Sequence, residues 1–260
     1  MDMVLKIYKR LCEEKNHAYK KGLYYYIQTE MAYNSNRIEG SHLSLEHTRE
    51  LFTTKSLLAR TDEVVYSNDV IETGNHFRAF DYLLTVHDKP LTQTMIKEFH
   101  RILKSGTADA DLKWFRVGDY KLEKNIVGGR ETTDPKDVPM AMEKLLAAYH
   151  SGGEHRLEDI VQFHVAMERI HPFQDGNGRV GRLVMFRECL ENGVLPFIIA
   201  ESHKLFYYRG LQEYHQEKGY LLDTCRSAQD QFQLVAERLV PGFKWNPGEE
   251  GKQQSNSLHR

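Results

Sequence analysis

The sequence predicts a mostly α-helical bundle carrying one β-hairpin, and three observations predict it. Apolar residues recur at helical spacing in several long segments: Ile160, Phe163, Met167 and Ile170, then Leu183, Phe186 and Leu190, then Ala228, Phe232, Val235 and Leu239. Gly128-Gly129 between Lys-Asn-Ile-Val and Arg-Glu-Thr-Thr is a two-residue hairpin signal. A glycine-rich run, His171-Pro-Phe-Gln-Asp-Gly-Asn-Gly-Arg-Val-Gly-Arg182, joins two of the apolar-periodic segments, which reads as helix, loop, helix.

Composition bounds the rest. The chain has 260 residues, 40% hydrophobic and 28% charged, the proportions of a soluble globular protein long enough to bury a full core. Lys+Arg 35 against Asp+Glu 37 gives a net charge of −2 and no basic footprint for nucleic acid. The three cysteines, Cys12, Cys189 and Cys225, are odd in number and unpatterned, which suits a reducing compartment. No apolar run is long enough to span a bilayer, and Met1-Asp-Met-Val-Leu-Lys lacks the basic-then-apolar order of a signal peptide. The expectation is a cytoplasmic protein with no membrane or nucleic-acid partner.

Taken in order, Met3 to Lys20 reads as a first helical segment closed by Gly22, and Leu23 to Tyr33 as an aromatic-rich second helix whose Tyr24, Tyr25 and Tyr26 supply packing. Ser35-Asn-Arg-Ile-Glu-Gly40 is a polar helix end with a glycine stop. Ser44 reads as an N-cap with Glu46 in the first turn that follows. Asp62 to His87 is a long helical stretch with Asp69, Glu72, Asn75, Ala79 and Tyr82, broken by Pro90. Thr92 caps the next helix, which puts Ile96, Phe99 and Leu103 on one side and ends at Ser105-Gly106. After the hairpin, Asp134 to Pro139 starts a helix that tolerates proline in its first turn and continues from Met140 to Tyr149. Leu157 to Ile170 is stopped at His171, because Pro172 disfavours helical geometry there. The following helix begins near Gly178 and stops at Gly193. Leu195-Pro-Phe-Ile-Ile is a buried connection, Tyr207 and Tyr208 share a helix with Leu211 and Tyr214, and Leu222 to Leu239 is a final helix. The expected organisation is an N-terminal helical region at 1–88, a core at 89–220, a C-terminal helix at 221–243 and a disordered tail at 244–260.

The chemistry concentrates in the glycine run. A helix that starts after a loop presents free backbone N–H groups and the positive end of its dipole, a ready anion site. Arg179 and Arg182 in that positive end oppose the dipole at about 0.3–1 kcal/mol each, so two of them point to a polyanion. Asp175 is a hard oxygen ligand of the kind Mg²⁺ takes beside phosphate oxygens. His171 is the side chain whose ordinary pKa suits general-base work near neutral pH. A competing grouping of His164, Glu168 and His171 could ligate zinc, but its order is not His-Glu-x-x-His.

The run from His171 to Arg182 matches at every specified position the signature of the Fic family, His-x-Phe-x-(Asp/Glu)-Gly-Asn-Gly-Arg-x-x-Arg, and most of residues 23 to 220 resembles that family. The resemblance implies a Fic-type helical bundle with its hairpin as a flap over the active site, and transfer of AMP from ATP to a hydroxyl of a protein target, itself included. It implies His171 as the base, Asp175 as the Mg²⁺ ligand, and Gly176, Asn177 and Gly178 as the anion hole. It also implies Arg179 and Arg182 on the β- and γ-phosphates, Phe173 as the loop's anchor, and Tyr207 and Tyr208 against adenine. At His215 several relatives carry asparagine. The flap residues Ile126, Val127, Gly128 and Gly129 are implied to align the target by strand-like pairing. Ser35 to Gly40 resembles the family's inhibitory motif, (Ser/Thr)-x-x-x-Glu-(Gly/Asn), with Ser35, Glu39 and Gly40 at its fixed positions and Glu39 paired to Arg182. Transfer of another phosphate-containing group, removal of AMP from a modified protein, and a non-catalytic ATP-sensing module are the alternatives. A homo-oligomer is left open.

Overall fold

Apolar residues at helical spacing set the architecture of the computed structural model, which describes residues 3–58, 62 and 64–245. Ten α-helices are found among them: α1 (Met3–Asn16), α2 (Leu23–Ile38), α3 (Leu45–Thr54), α4 (Ser67–Val86), α5 (Gln93–Lys104), α6 (Val138–His150), α7 (Leu157–Ile170), α8 (Asn177–Glu191), α9 (Lys204–Glu213) and α10 (Gly219–Leu239). Strands β1 (Ile126–Val127) and β2 (Arg130–Glu131) pair antiparallel, with Ile126 opposite Glu131 and Val127 opposite Arg130. Gly128 and Gly129 both have positive φ, 57° and 76°, the conformation a two-residue turn of this kind requires. No described helix is long and apolar enough to cross a membrane.

Helix α8 is the axis of the bundle. Between Asn177 and Leu190 every residue except Gly178 is buried, and a helix covered on all sides must sit inside the domain. One core lies between α8 and α1, α2, α4, α5 and α6, where Phe80 meets Phe186 edge-on at 5.4 Å and Phe186 meets Phe232 of α10 at 6.0 Å. A second core, with Ile160, Val161, Met185, Cys189, Tyr207 and Leu221, lies between α7, α8, α9 and α10. Helices α9 and α10 approach so closely that a Cβ on Gly210 would stand 2.8 Å from the Leu221 backbone.

Local signals place most ends. Ser44 Oγ accepts from the His47 N–H at 3.1 Å and Thr92 Oγ1 from the Met95 N–H at 3.2 Å, as their N-cap reading requires. Other boundaries differ, and the first helix ends at Asn16 rather than Lys20. Helix α2 runs past Tyr33 to Ile38, so the polar helix end read at Ser35 to Gly40 is its last turn, with Ser35 helical and Glu39 the helix cap. The tertiary structure supports that polar turn, since Asn36 Nδ2 donates to Thr73 Oγ1 and Asn34 Oδ1 accepts from the Glu201 N–H. The helix expected from Asp62 begins at Ser67: the β-branched Val64 is exposed and has little reason to be helical, and Tyr66 stays extended with its ring 4.6 Å from that of His42. The last helix begins at Gly219, three residues early, because Leu221 and Leu222 are buried against α9. Of the tail expected at 244–260, Lys244 and Trp245 are described, with Trp245 stacked on Phe243, and residues 246–260 lie outside the described residues.

Candidate active site

The loop between α7 and α8 is built on conformations that the regular elements avoid. His171 ends α7 in the left-handed region (φ 52°, ψ 64°), its N–H still donating to the Met167 carbonyl at 2.9 Å, and Gly176 caps α8 at φ 80°. A non-glycine residue in that region carries strain, and such residues cluster at functional sites. Phe173 drives the loop into the core: it is fully buried and stacks on the His100 ring at 4.1 Å and 6°. Asn177 closes the turn from within, accepting from the Phe173 N–H and donating to the Phe173 carbonyl, both at 2.8 Å. Its side chain therefore shapes the loop.

His171 is mostly enclosed. Burial, and next the Lys121 ammonium, push its pKa down to about 4 against the Glu168 carbonyl and the Asp175 and Glu39 carboxylates. The imidazole is thus uncharged at neutral pH, the form that can accept a proton.

The end of α2 meets the start of α8. Arg182 Nε donates to Ser35 Oγ at 3.0 Å, and its Nη2 donates to the Ser35 carbonyl at 2.9 Å and to Glu39 Oε1 at 2.7 Å. Burial works against the arginine's charge, but the Glu39 carboxylate and Tyr207 outweigh it and its pKa is raised. A Cβ on Gly178 would stand 2.2 Å from Glu39 Oε1, so this carboxylate lies directly on the first turn of α8, at the positive end of the dipole. Arg182 Nη1 is buried without a partner. Gly40, at φ 103°, turns the chain away immediately after Glu39.

Arg179 faces the other way. Its Nη1 pairs with Glu72 Oε2 at 2.5 Å and its Nη2 with Asp175 Oδ2 at 2.9 Å. Lys104 Nζ binds Asp175 Oδ2 at 2.7 Å as well. Burial alone would raise the Asp175 pKa, but Arg179 and Lys104 hold it below the usual carboxylate range. Glu72, Asp109 and Asp175 offer carboxylate oxygens within 4.8 Å of one another, the one set of three metal-capable side chains so gathered among the described residues. Asp175, expected as a metal ligand, thus has oxygen partners of the right hardness beside it. The alternative grouping is not assembled: His164 Nε2 is engaged with Tyr207 Oη at 2.6 Å, and burial raises the Glu168 pKa to about 8.

Tyr207 is buried with its ring 5.7 Å from the Arg182 guanidinium, and Tyr208, partly exposed, donates to the Ile38 carbonyl at 3.1 Å. Both tyrosines therefore border the Glu39–Arg182 contact. Across the mouth, the hairpin is exposed while its root is tied to the loop. Lys121 Nζ donates to Asn125 Oδ1 at 2.8 Å and Thr132 Oγ1 at 2.6 Å, and its N–H donates to the Pro172 carbonyl at 2.9 Å. Burial lowers that amine to about 8. Lys104, Asp109 and Lys121 carry no motif. Their role comes from contacts such as the one joining residues 104 and 175, and no local signal reports it.

Known proteins resemble the chain over this region. Residues 90–189 match the Fic/DOC family. Proteins named protein adenylyltransferase Fic are 27% identical over 183 residues in Culex quinquefasciatus and 28% identical over 189 residues in Drosophila ananassae, each alignment covering 69% of this chain and 35% of the relative. The chain thus spans about a third of the length of these curated relatives. A Fic-domain-containing signalling protein from Bacteroides thetaiotaomicron superimposes with a TM-score of 0.72 at 21% identity, over 94% of this chain and 100% of that one. Residues 134–508 of Fic-1 from C. elegans do so with a TM-score of 0.66 at 16% identity, over 89% and 71%. These two likenesses concern the fold. The signature at His171 to Arg182, the match of residues 90–189 to the Fic/DOC family and the shared helical architecture agree in likening this region to a Fic domain.

Proposed function

We propose that the chain is a protein adenylyltransferase held back in cis by Glu39. In the proposed step a target hydroxyl oxygen attacks the α-phosphorus of ATP, His171 takes the hydroxyl proton, and the bond to the β-phosphate breaks so that pyrophosphate leaves. The N–H groups of Gly176, Asn177 and Gly178 at the head of α8 receive the phosphate oxygens. Arg182 takes the γ-phosphate, Arg179 turns from Glu72 to the phosphates, Tyr207 and Tyr208 border the adenine, and Asp175 holds Mg²⁺. The ion, when bound, neutralises phosphate charge. Ile126, Val127, Gly128 and Gly129 lie at the mouth and align the target by backbone pairing. The odd, unpatterned set of Cys12, Cys189 and Cys225 suits a reducing compartment, and the cytoplasm is the proposed location.

The observation that carries this reading is the Glu39 carboxylate on the first turn of α8, bound to Arg182 at 2.7 Å. A carboxylate there mimics the anion that the loop is built to take, and one guanidinium cannot give the same donors to both. The double-mutant cycle of Glu39→Gly and Arg182→Ala, with α-labelled ATP and cell lysate, tests it. Glu39→Gly should raise labelling by about tenfold or more, the factor that about 1.4 kcal/mol of lost competition gives. Arg182→Ala should be inactive with or without Glu39. Failure of Glu39→Gly to activate, or equal activation in both backgrounds, would remove the inhibitory pairing.

A further inference from the structure

Lys104 is the last residue of α5, and its side chain is 1% exposed. An ammonium is that far from water only where carboxylates replace the solvent, and three do. Its Nζ lies 2.8 Å from Glu72 Oε1, 2.7 Å from Asp109 Oδ2 and 2.7 Å from Asp175 Oδ2. Arg179 bridges Glu72 and Asp175 on the other side, so Glu72, Lys104, Asp175 and Arg179 form a closed ring of alternating charge with Asp109 attached. The lysine is also fixed along its length. A Cβ on Gly176 would stand 3.7 Å from Lys104 Cδ, which puts the methylene stem directly under the loop glycine, and the Lys104 carbonyl accepts from Thr107 Oγ1 at 2.9 Å.

The three carboxylates clustered closely enough to share a cation are therefore the three that share this ammonium. Without a positive charge among them they would repel one another, and Asp175 would swing toward Arg179 alone. The geometry points to Lys104 as a built-in counter-cation of the metal ligand: it holds the Asp175 carboxylate in place while no divalent ion is bound, and it competes with that ion for Asp175 Oδ2. This rests on the reading of Asp175 as the Mg²⁺ ligand. Two consequences follow from the competition. A free divalent ion gains little, since it must displace a cation already in contact. An ion that arrives with a nucleotide brings phosphate oxygens as further ligands and prevails. Lys104 is thus a positioning residue that couples metal binding to nucleotide binding.

Mn²⁺, titrated against the whole protein and read by the electron paramagnetic resonance signal of the free ion, tests this without any turnover. The parent should bind Mn²⁺ alone weakly and Mn²⁺ with ATP tightly. Lys104→Met keeps the stem and removes the charge, and should bind Mn²⁺ alone about 10–100-fold more tightly than the parent, the range that groups beside a metal ligand command. Lys104→Arg keeps the charge and should behave as the parent does. A Lys104→Met protein with its helical circular dichroism intact and no gain in Mn²⁺ affinity overturns the proposal. If that variant does not fold, Lys104→Gln goes through the same titration, and the parent alone is also decisive: Mn²⁺ binding as tight without ATP as with it means that the ammonium does not hold the place. Asp175→Ala separates the two layers. Unchanged Mn²⁺–ATP binding there sinks the metal assignment itself, whereas its loss beside an unresponsive Lys104→Met sinks only the role of the lysine.

Discussion

The loop at 171–178 and the hairpin at 126–131 are joined through residues 121–125, and both turn on glycines with positive φ, yet they are held in opposite ways. The loop is wired into the core: Phe173 is buried on His100, and Asn177 satisfies both the N–H and the carbonyl of Phe173. The hairpin has two residues per strand, and its Ile126 is 68% exposed, with only the root fixed by Lys121. Groups that must meet a phosphorus atom within a few tenths of an ångström need a rigid frame. A strand edge that receives another chain needs unpaired backbone, which a packed core does not leave.

The largest effect that sharpens this contrast is chemical. His171→Ala should keep Mg²⁺–ATP binding and lose AMP transfer by about 10²–10⁴-fold, the usual cost of removing a general base. Single-turnover transfer at the parent rate would take the base assignment away. Next comes the frame. Asn177→Ala leaves the buried Phe173 N–H without its partner and the Phe173 carbonyl with only Asn125 Nδ2 at 3.5 Å, and should cost about 1–3 kcal/mol, which at this chain length lowers the melting temperature by about 2–4 °C per kcal/mol. The smallest effect on stability belongs to the hairpin. Ile126→Pro removes an N–H from an exposed strand, so melting should stay within about 0.5 kcal/mol of the parent, while the KM for a protein target rises and that for ATP does not. If Ile126→Pro melted as early as Asn177→Ala, the two turns would be equally structural and the contrast would be broken.

What the sequence discloses follows the range of the forces. Leu157–Ile170 has its stripe and its proline stop within one stretch, so both ends are readable, as are the Ser44 and Thr92 caps and the Gly128-Gly129 turn. The glycine run makes its proposed chemistry readable because an anion site at a helix N-terminus would be a local product of backbone geometry. The end of α2 is different. Asn34, Ser35 and Asn36 are weak helix formers, and what keeps them helical includes Thr73 on α4 and Arg182 on α8, far away in the chain. The ring around Lys104 is further from legibility still, because it joins α4, α5, the loop and α8, and an isolated lysine at a helix end reads as an ordinary surface residue. Lys121 is hidden for the same reason, its partners being set by how the hairpin folds back on residue 172.

The closeness of Gly178 to Glu39 reaches into how such a protein can change over generations. The site where a methyl group would collide with the carboxylate is also part of the loop proposed to receive the nucleotide, so one hydrogen atom on one glycine serves both occupants. A substitution at 178 that expelled Glu39 would also obstruct the phosphate, and a lineage could not shed its restraint by that route and keep its chemistry. The proposed restraint would be separable from the α2 side, at Ser35 or Glu39, whose contacts with Arg182 are not themselves part of the proposed nucleotide loop. If both proposed roles hold, regulation and catalysis sit on different helices, α2 and α8, and a change at Glu39 would alter the first without touching the residues proposed for the second.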